Sequence, residues 1–150
     1  MAVYFVDSSA LVKRYRNEEG SQRVIELIES ADRLMIARLT PVEVSAALVR
    51  RGRATRIDTG TLQALLAIVD RELKDYFDIV QLDDAILTSA TALTRKHALR
   101  AANAMQLACA LAACGESQLP EFAFIGSDRE LNAAVAAEGI LTIDPTDSMT

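Results

Sequence analysis

The sequence predicts an α/β protein, a three-layer α/β/α fold around a central parallel sheet of four to five strands. Short apolar segments alternate with longer segments whose apolar residues recur at helical spacing, which is typical of a parallel sheet covered on both faces by helices. The 150 residues are a common size for one domain, and 51% hydrophobic with 25% charged residues is an ordinary globular composition. We therefore expect a single domain over residues 1–150.

Five apolar segments are short enough to be buried strands. Each is bounded by polar or turn-forming residues and contains β-branched or aromatic side chains. They are residues 3–6, 34–37, 77–80, 121–125 and 140–143.

The segments between them carry helix start and stop signals. A helix over about 9–16 precedes one capped by Ser21. Thr40 and Glu43 form a capping-box spacing around Pro41, and Gly52 is expected to end that helix. Further helices are predicted from residue 58 or 59 through Leu73, after the cap Asp83 to about residue 97, over 101–113 and over 127–138, with a loop at 115–120 and a loose polar tail at 144–150.

Charge and composition exclude several classes of protein. A net charge of −5 argues against a large phosphate-gripping surface, although not against a nuclease whose bound cations offset its acidic site. Cys109 and Cys114 give neither a zinc pattern nor a disulfide framework, so we expect reduced thiols in the cytoplasm. The start of the chain lacks a basic signal-peptide region, and no apolar run approaches the roughly 20 residues of a membrane span.

Two acidic residues follow predicted strands. Asp7 comes directly after the first strand and Asp128 just after the fourth, at the sheet edge where ligands of parallel α/β proteins bind. Each also has an ordinary local interpretation, because Asp7 suits a helix cap and Asp128 follows Ser127, which is predicted to cap the next helix. Glu43 equally fits the third position of a capping box. Local sequence alone thus favours helix starts over a site.

Asn103 is more informative, because it lies in an otherwise nearly apolar helix. A buried amide costs free energy unless it is hydrogen-bonded. It is either a core amide bonded to the backbone or a side chain that points into a polar site.

Four segments taken together resemble the sequence motifs of PIN-domain ribonucleases of the VapC toxin kind. They are residues 6–13 (VDSSALVK), 40–48 (TPVEVSAAL), 99–108 (LRAANAMQLA) and 125–131 (IGSDREL), in the family's order and over nearly the whole chain. Each motif is weak alone, and the four in register are fairly specific.

The resemblance implies a PIN-like sheet with Asp7, Glu43 and Asp128 in one cleft. It implies Mg²⁺ or Mn²⁺ as cofactor, held by Asp7, Asn103 and Asp128, with Glu43 as ligand of a second ion or positioner of the attacking water. Ser8 or Ser127 would hold the carboxylates by hydrogen bonds. The implied partners are an RNA substrate and a small VapB-like antitoxin, and the implied assembly is a homodimer with no membrane association.

Asn103 departs from the family pattern, which normally has Asp at this place. An amide oxygen can still bind a cation, but the cleft loses one negative charge and binds Mg²⁺ less well. Two explanations remain open: a substitution made to silence a toxic enzyme, or a naturally weakened or inactive member. An inactive module that binds antitoxin or RNA without cleavage is therefore the alternative function.

Basic residues offer possible RNA contacts. Arg50, Arg51 and Arg53 form the densest cluster, which could equally be a solvated helix end. Phosphotransfer folds also place Asp after the first strand, but a haloacid dehalogenase needs a second Asp where Ser9 stands, and a receiver needs an acidic pair that is missing.

Overall fold

The computed structural model describes residues 1–117 and 121–147. Within them, the strands are β1 (Val3–Val6), β2 (Arg33–Ala37), β3 (Asp78–Val80), β4 (Phe122–Ile125) and β5 (Leu141–Ile143). The helices are α1 (Ser8–Tyr15), α2 (Ser21–Ser30), α3 (Thr40–Ala54), α4 (Thr59–Asp75), α5 (Asp84–His97), α6 (Ala101–Ser117) and α7 (Arg129–Ala137).

All five strands are parallel and form one sheet in the order β3-β2-β1-β4-β5. Every connection between neighbouring strands contains at least one helix, as parallel pairing requires. The prediction of a parallel α/β/α fold with four to five strands is confirmed.

Two apolar cores cover the two faces of the sheet. Residues of α1–α4 pack with Val6 and Ile36 on one face, and residues of α5–α7 pack with Phe5 and Met35 on the other. Phe5 and Phe124, from adjacent strands, stack with ring centroids 5.8 Å apart. Alternate residues of β1 therefore serve opposite cores, which is why its sequence is apolar throughout.

The chain reverses its direction of winding at β1. From β1 it first adds β2 and β3 on one side, then crosses over to add β4 and β5 on the other. The carboxyl ends of β1 and β4 lie side by side at this switch point, where Asp7 N donates to Ile125 O at 2.9 Å. Open parallel sheets bind their ligands at such a crevice.

Several predicted element ends differ from the structure. α3 continues through Gly52 to Ala54, and α6 continues through Gly115, which was predicted to open a loop. Glycine inside a helix costs only about 0.5–1 kcal/mol relative to alanine, so the helix-forming residues on either side can carry both helices through it. Gly52 is needed for space, because a Cβ there would lie 2.7 Å from Ile57 Cγ2. Residues 118–120 of the predicted loop lie outside the described residues.

Two predicted caps are also wrong. Gly20, with φ 88°, is the N-cap of α2 in place of Ser21, whose hydroxyl instead bonds Glu18 N and Arg16 O. Leu39 precedes α3 in place of Thr40, and no side chain caps that helix. The capping box proposed for Thr40 and Glu43 is therefore absent, which leaves the Glu43 carboxylate for other contacts.

Residues 144–147, where we expected a loose tail to begin, form a turn. Thr146 N and Oγ1 both donate to Asp144 Oδ1, and Pro145 is buried close to Gly20. Residues 148–150 lie outside the described part. Over the described ranges, no helix is both long and apolar enough to cross a bilayer.

Candidate metal centre

Asp7 is a carboxylate buried where β1 ends. Its side chain is the N-cap of α1 and accepts hydrogen bonds on Oδ2 from Ser9 Oγ at 2.5 Å and Ser9 N at 3.3 Å. Only 3% of the residue is exposed, and the pKa of Asp7 is raised to about 6. Burial is the main cause, the hydrogen bonds from Ser9 act against it, and the negative charge of Glu43 adds to it. The helix-cap interpretation is thus correct but incomplete, since capping does not require a carboxylate this dry.

Glu43 lies in the first turn of α3, after β2, and its side chain is held by two other helices. Ser8 Oγ donates to Glu43 Oε1 at 2.8 Å from α1, and Gln106 Nε2 donates to the same oxygen at 2.9 Å from α6. The sequence assigned this residue a capping role, and the structure gives it tertiary contacts at the sheet edge.

Asp128 caps α7 itself, so the expectation that Ser127 is the cap is wrong. Its Oδ1 accepts from Leu131 N at 3.0 Å, while Oδ2 accepts from Asn103 Nδ2 at 3.3 Å. Within the part of the chain that the structure describes, the side chain of Asn103 bonds Asp128 and not the backbone of its own helix. Its partner is a polar side chain from another element, and a role for Asn103 in a metal site stays a prediction.

Ser9 joins the two loops that carry Asp7 and Asp128. Its hydroxyl donates to Asp7 Oδ2 and accepts from Ser127 N at 2.9 Å. The supporting role expected of Ser127 falls to its backbone, because Ser127 Oγ is buried without a hydrogen-bond partner among the described residues. Ser8 donates a hydrogen bond to Glu43, and its supporting role at a metal site stays a prediction.

The predicted basic residues do not reach these carboxylates. Arg50, Arg51 and Arg53 are exposed in the last turns of α3, and Arg51 lies about 12 Å along the helix axis from Glu43. Their contact with RNA stays a prediction. His97 pairs with Glu138 at 2.9 Å, outside the candidate site.

The donor set suits a hard divalent cation, with one deficit. Its atoms are carboxylate and amide oxygens, which Mg²⁺ and Mn²⁺ prefer. No ion pair among the described residues neutralises Asp7, Glu43 or Asp128. However, no three Asp, Glu, His or Cys side chains within 1–117 and 121–147 group closely enough to hold a metal. The residue beside Asp128 is the neutral Asn103, so a cation bound here would rely on one or two carboxylates, an amide oxygen and water.

Sequence reasoning missed Ser9 and Gln106. Ser9 was given no role in the site, although it is the residue that connects Asp7 to the β4–α7 loop. Gln106 was quoted within a motif and given no role. It is an amide three residues after Asn103 in a nearly apolar helix, so the same argument that singled out Asn103 applies to it.

Cavity size does not mark the site. A cavity of about 620 Å³ lies at the opposite edge of the sheet, where β2 and β3 begin. Its lining includes Asp32, Arg33 and Asp78. The carboxylates lie at the carboxyl ends of the strands instead.

Comparison with known proteins agrees with this architecture. A family model of the PIN domain matches residues 4–136. Ribonuclease VapC45 of Mycobacterium tuberculosis is 34% identical over 115 residues, which cover 75% of this chain and 77% of the relative.

Two solved structures share the fold at low identity. VapC20 of Mycobacterium tuberculosis, described as a sarcin-ricin loop cleaving toxin, aligns with a TM-score of 0.65 and 15% identity over 92% of this chain and 96% of its own. A toxin–antitoxin complex from Klebsiella pneumoniae aligns with a TM-score of 0.56 and 16% identity over 97% and 98%. The chain therefore belongs to the PIN domain family, within the VapC group.

Proposed function

We propose that this chain is a metal-dependent endoribonuclease, the toxin of a type II toxin–antitoxin pair, and that Asn103 holds it below full activity. The proposal depends on one observation: the Asp7 carboxylate is buried, with 3% of the residue exposed, and no ion pair among the described residues includes it. A dry, unneutralised carboxylate is unfavourable in the free protein and becomes favourable when a cation binds.

The residues have distinct roles in this proposal. Asp7, Asn103 and Asp128 hold the cation, and Glu43 binds a second ion or orients the attacking water. A bound Mg²⁺ or Mn²⁺ supplies hydroxide near neutral pH and offsets charge that develops on the phosphate. Ser9 keeps the Asp7 and Asp128 loops at a fixed separation through its two hydrogen bonds.

Names of relatives support the substrate and partner classes. VapC45 is called a ribonuclease and VapC20 a sarcin-ricin loop cleaving toxin, so we propose RNA as the substrate. The Klebsiella structure is a toxin–antitoxin complex, so we propose a VapB-like antitoxin as the partner of this chain. The homodimer that the sequence resemblance implies stays a prediction. Arg50, Arg51 and Arg53 remain candidates for contacts with RNA outside the cleft.

A module that binds without cleaving is the second candidate, and one observation favours it. Asn103 donates to Asp128 Oδ2 at 3.3 Å, so an uncharged group already occupies one oxygen that a cation would use. The Asn103→Asp substitution can therefore distinguish a metal-dependent ribonuclease from a module that only binds.

The experiment compares the protein with its Asn103→Asp variant on total RNA, in Mg²⁺ and in EDTA. We expect weak, EDTA-sensitive cleavage by the parent and stronger cleavage by the variant, because the added carboxylate restores charge to the cleft. Asp7→Asn in the Asn103→Asp background is the matched control and should abolish cleavage. Cleavage that persists in EDTA would contradict the mechanism, and no cleavage by the Asn103→Asp variant would favour the binding module.

A further inference from the structure

Gln106 is a buried amide with an unusual set of contacts. It is 1% exposed and lies in α6, which packs on the opposite face of the sheet from α1 and α3. Its Nε2 lies 3.0 Å from Ser8 Oγ, 3.0 Å from Thr40 Oγ1 and 2.9 Å from Glu43 Oε1. One amide nitrogen thus joins the two helical layers over the carboxyl ends of the strands.

The charge of Glu43 determines which way this amide points. Gln106 Oε1 is buried and has no hydrogen-bond partner among the described residues. Rotating the amide by half a turn would place that carbonyl oxygen against Glu43 Oε1, where two acceptors repel. An unsatisfied buried oxygen is costly, so this arrangement sacrifices one hydrogen bond to keep an N–H donor on the carboxylate.

The two donors on Glu43 use only one of its oxygens. Ser8 Oγ and Gln106 Nε2 both bond Oε1, and Ser8 also accepts from Gln106. The described residues offer Oε2 no hydrogen bond. A carboxylate fixed through one oxygen in this way keeps the other for a cation or a water molecule.

α6 contacts a second carboxylate through the same face. Asn103 and Gln106 are three residues apart, so their side chains lie on one side of the helix. Asn103 donates to Asp128 and Gln106 donates to Glu43. The spacing of these two amides along a single helix therefore helps to set the separation of Glu43 from Asp128.

We propose that Gln106 is a positioning residue, which together with Ser8 holds Glu43 by Oε1 so that Oε2 faces the bound cation or the attacking water. This inference rests on the proposed metal-dependent cleavage and adds a specific residue to it. Partners that orient metal ligands typically change affinity or activity by 10- to 100-fold when removed.

The test substitutes Gln106 by Met, which has similar volume and no donor. Thr40→Val is the matched control, because it is equally buried and removes another contact of the same amide without touching Glu43. Ser8→Ala, at a half-buried position, removes the second donor on Glu43 with little risk to folding. All three are made in the Asn103→Asp background. We would measure the Mn²⁺ affinity by calorimetry, kcat and KM for RNA cleavage, and the midpoint of urea unfolding in EDTA.

We expect Gln106→Met to weaken Mn²⁺ binding about 10-fold or more and to lower kcat by about 10- to 100-fold, with KM changed less than about 3-fold. Ser8→Ala should act in the same direction and less strongly. Thr40→Val should lower the unfolding midpoint and leave the Mn²⁺ affinity and kcat within about 3-fold of those of the Asn103→Asp protein.

If Gln106→Met and Thr40→Val are both less stable and both bind Mn²⁺ as the parent does, Gln106 is only structural and the inference is overturned. Should Gln106→Met fail to fold, Ser8→Ala decides, and unchanged Mn²⁺ affinity and kcat in that variant would overturn the shared role. If the Asn103→Asp protein itself binds no Mn²⁺, the proposed function is overturned as well, and this result distinguishes the two failures.

Discussion

Replacing Asp7 by Asn should make the metal-free protein more stable at neutral pH. The folded protein holds Asp7 in a dry place next to Glu43, so its pKa of about 6 lies above the ordinary value of 3.8. A carboxyl group with a raised pKa binds its proton more tightly when folded than when unfolded. The folded state therefore loses stability as the pH rises from about 4 to about 6, and the loss is complete above that range.

The size of the effect follows from the shift of about 2 pH units. One unit corresponds to 1.36 kcal/mol, so ionised Asp7 costs the folded state about 3 kcal/mol at pH 7. Asn keeps an oxygen that accepts from Ser9 and carries no charge. Near pH 4, where Asp7 is mostly protonated, the two proteins should differ little.

The assay is urea unfolding of both proteins in EDTA at intervals from pH 4 to pH 8. The free energy of unfolding of Asp7→Asn minus that of the parent should rise across pH 4–6 and then stay level. Excess Mg²⁺ or Mn²⁺ should stabilise the parent and not the variant, because a ligand that binds only the folded state adds stability. A difference that does not change with pH would refute the claim that Asp7 is a buried, unneutralised carboxylate.

Further predictions concern other positions. Asn103→Asp should tighten Mn²⁺ binding measured by calorimetry, and in EDTA it should lower the free energy of unfolding at pH 7 by on the order of 1 kcal/mol, since it places a like charge beside Asp128. Gly52→Ala should destabilise by about 1–3 kcal/mol in urea unfolding, because the new Cβ meets Ile57 Cγ2 at 2.7 Å; an unchanged midpoint would contradict this packing. Gly115→Ala should stabilise by about 0.5–1 kcal/mol in the same assay, because this helical glycine has open space around its Cα, and a loss of stability would argue that residue 115 is not helical.

The layer arrangement and the edge that carries the site were predictable from the sequence. Period and length identify buried strands and helices, and the carboxyl edge of a parallel sheet is a general binding location. Asp7 and Asp128 could be placed there because Asp7 directly follows β1 and Asp128 lies three residues after the end of β4. The position of Asn103 in an apolar helix correctly indicated a tertiary contact, which proved to be Asp128.

The partners of each carboxylate were not predictable, because they come from distant parts of the chain. Thr40 and Glu43 have capping-box spacing, yet their side chains bond to Gln106, more than sixty residues away. Ser9 bonds Asp7 and Ser8 bonds Glu43 because of the direction in which the first turn of α1 faces, and residue spacing does not determine that direction. Local patterns report the helix start, whereas the contacts across the crevice depend on how three helices converge.

The most direct test of the central claim is the location of Mn²⁺ by anomalous scattering in a crystal of the Asn103→Asp variant, with the parent protein soaked in parallel. The account predicts an anomalous peak between the ends of β1 and β4, with oxygens of Asp7 and Asp128 at coordination distance, about 2.1 Å as for Mg²⁺. The parent should show the same peak at lower occupancy. A peak elsewhere, or none in the variant at millimolar Mn²⁺, would contradict the assignment of these carboxylates to a metal centre.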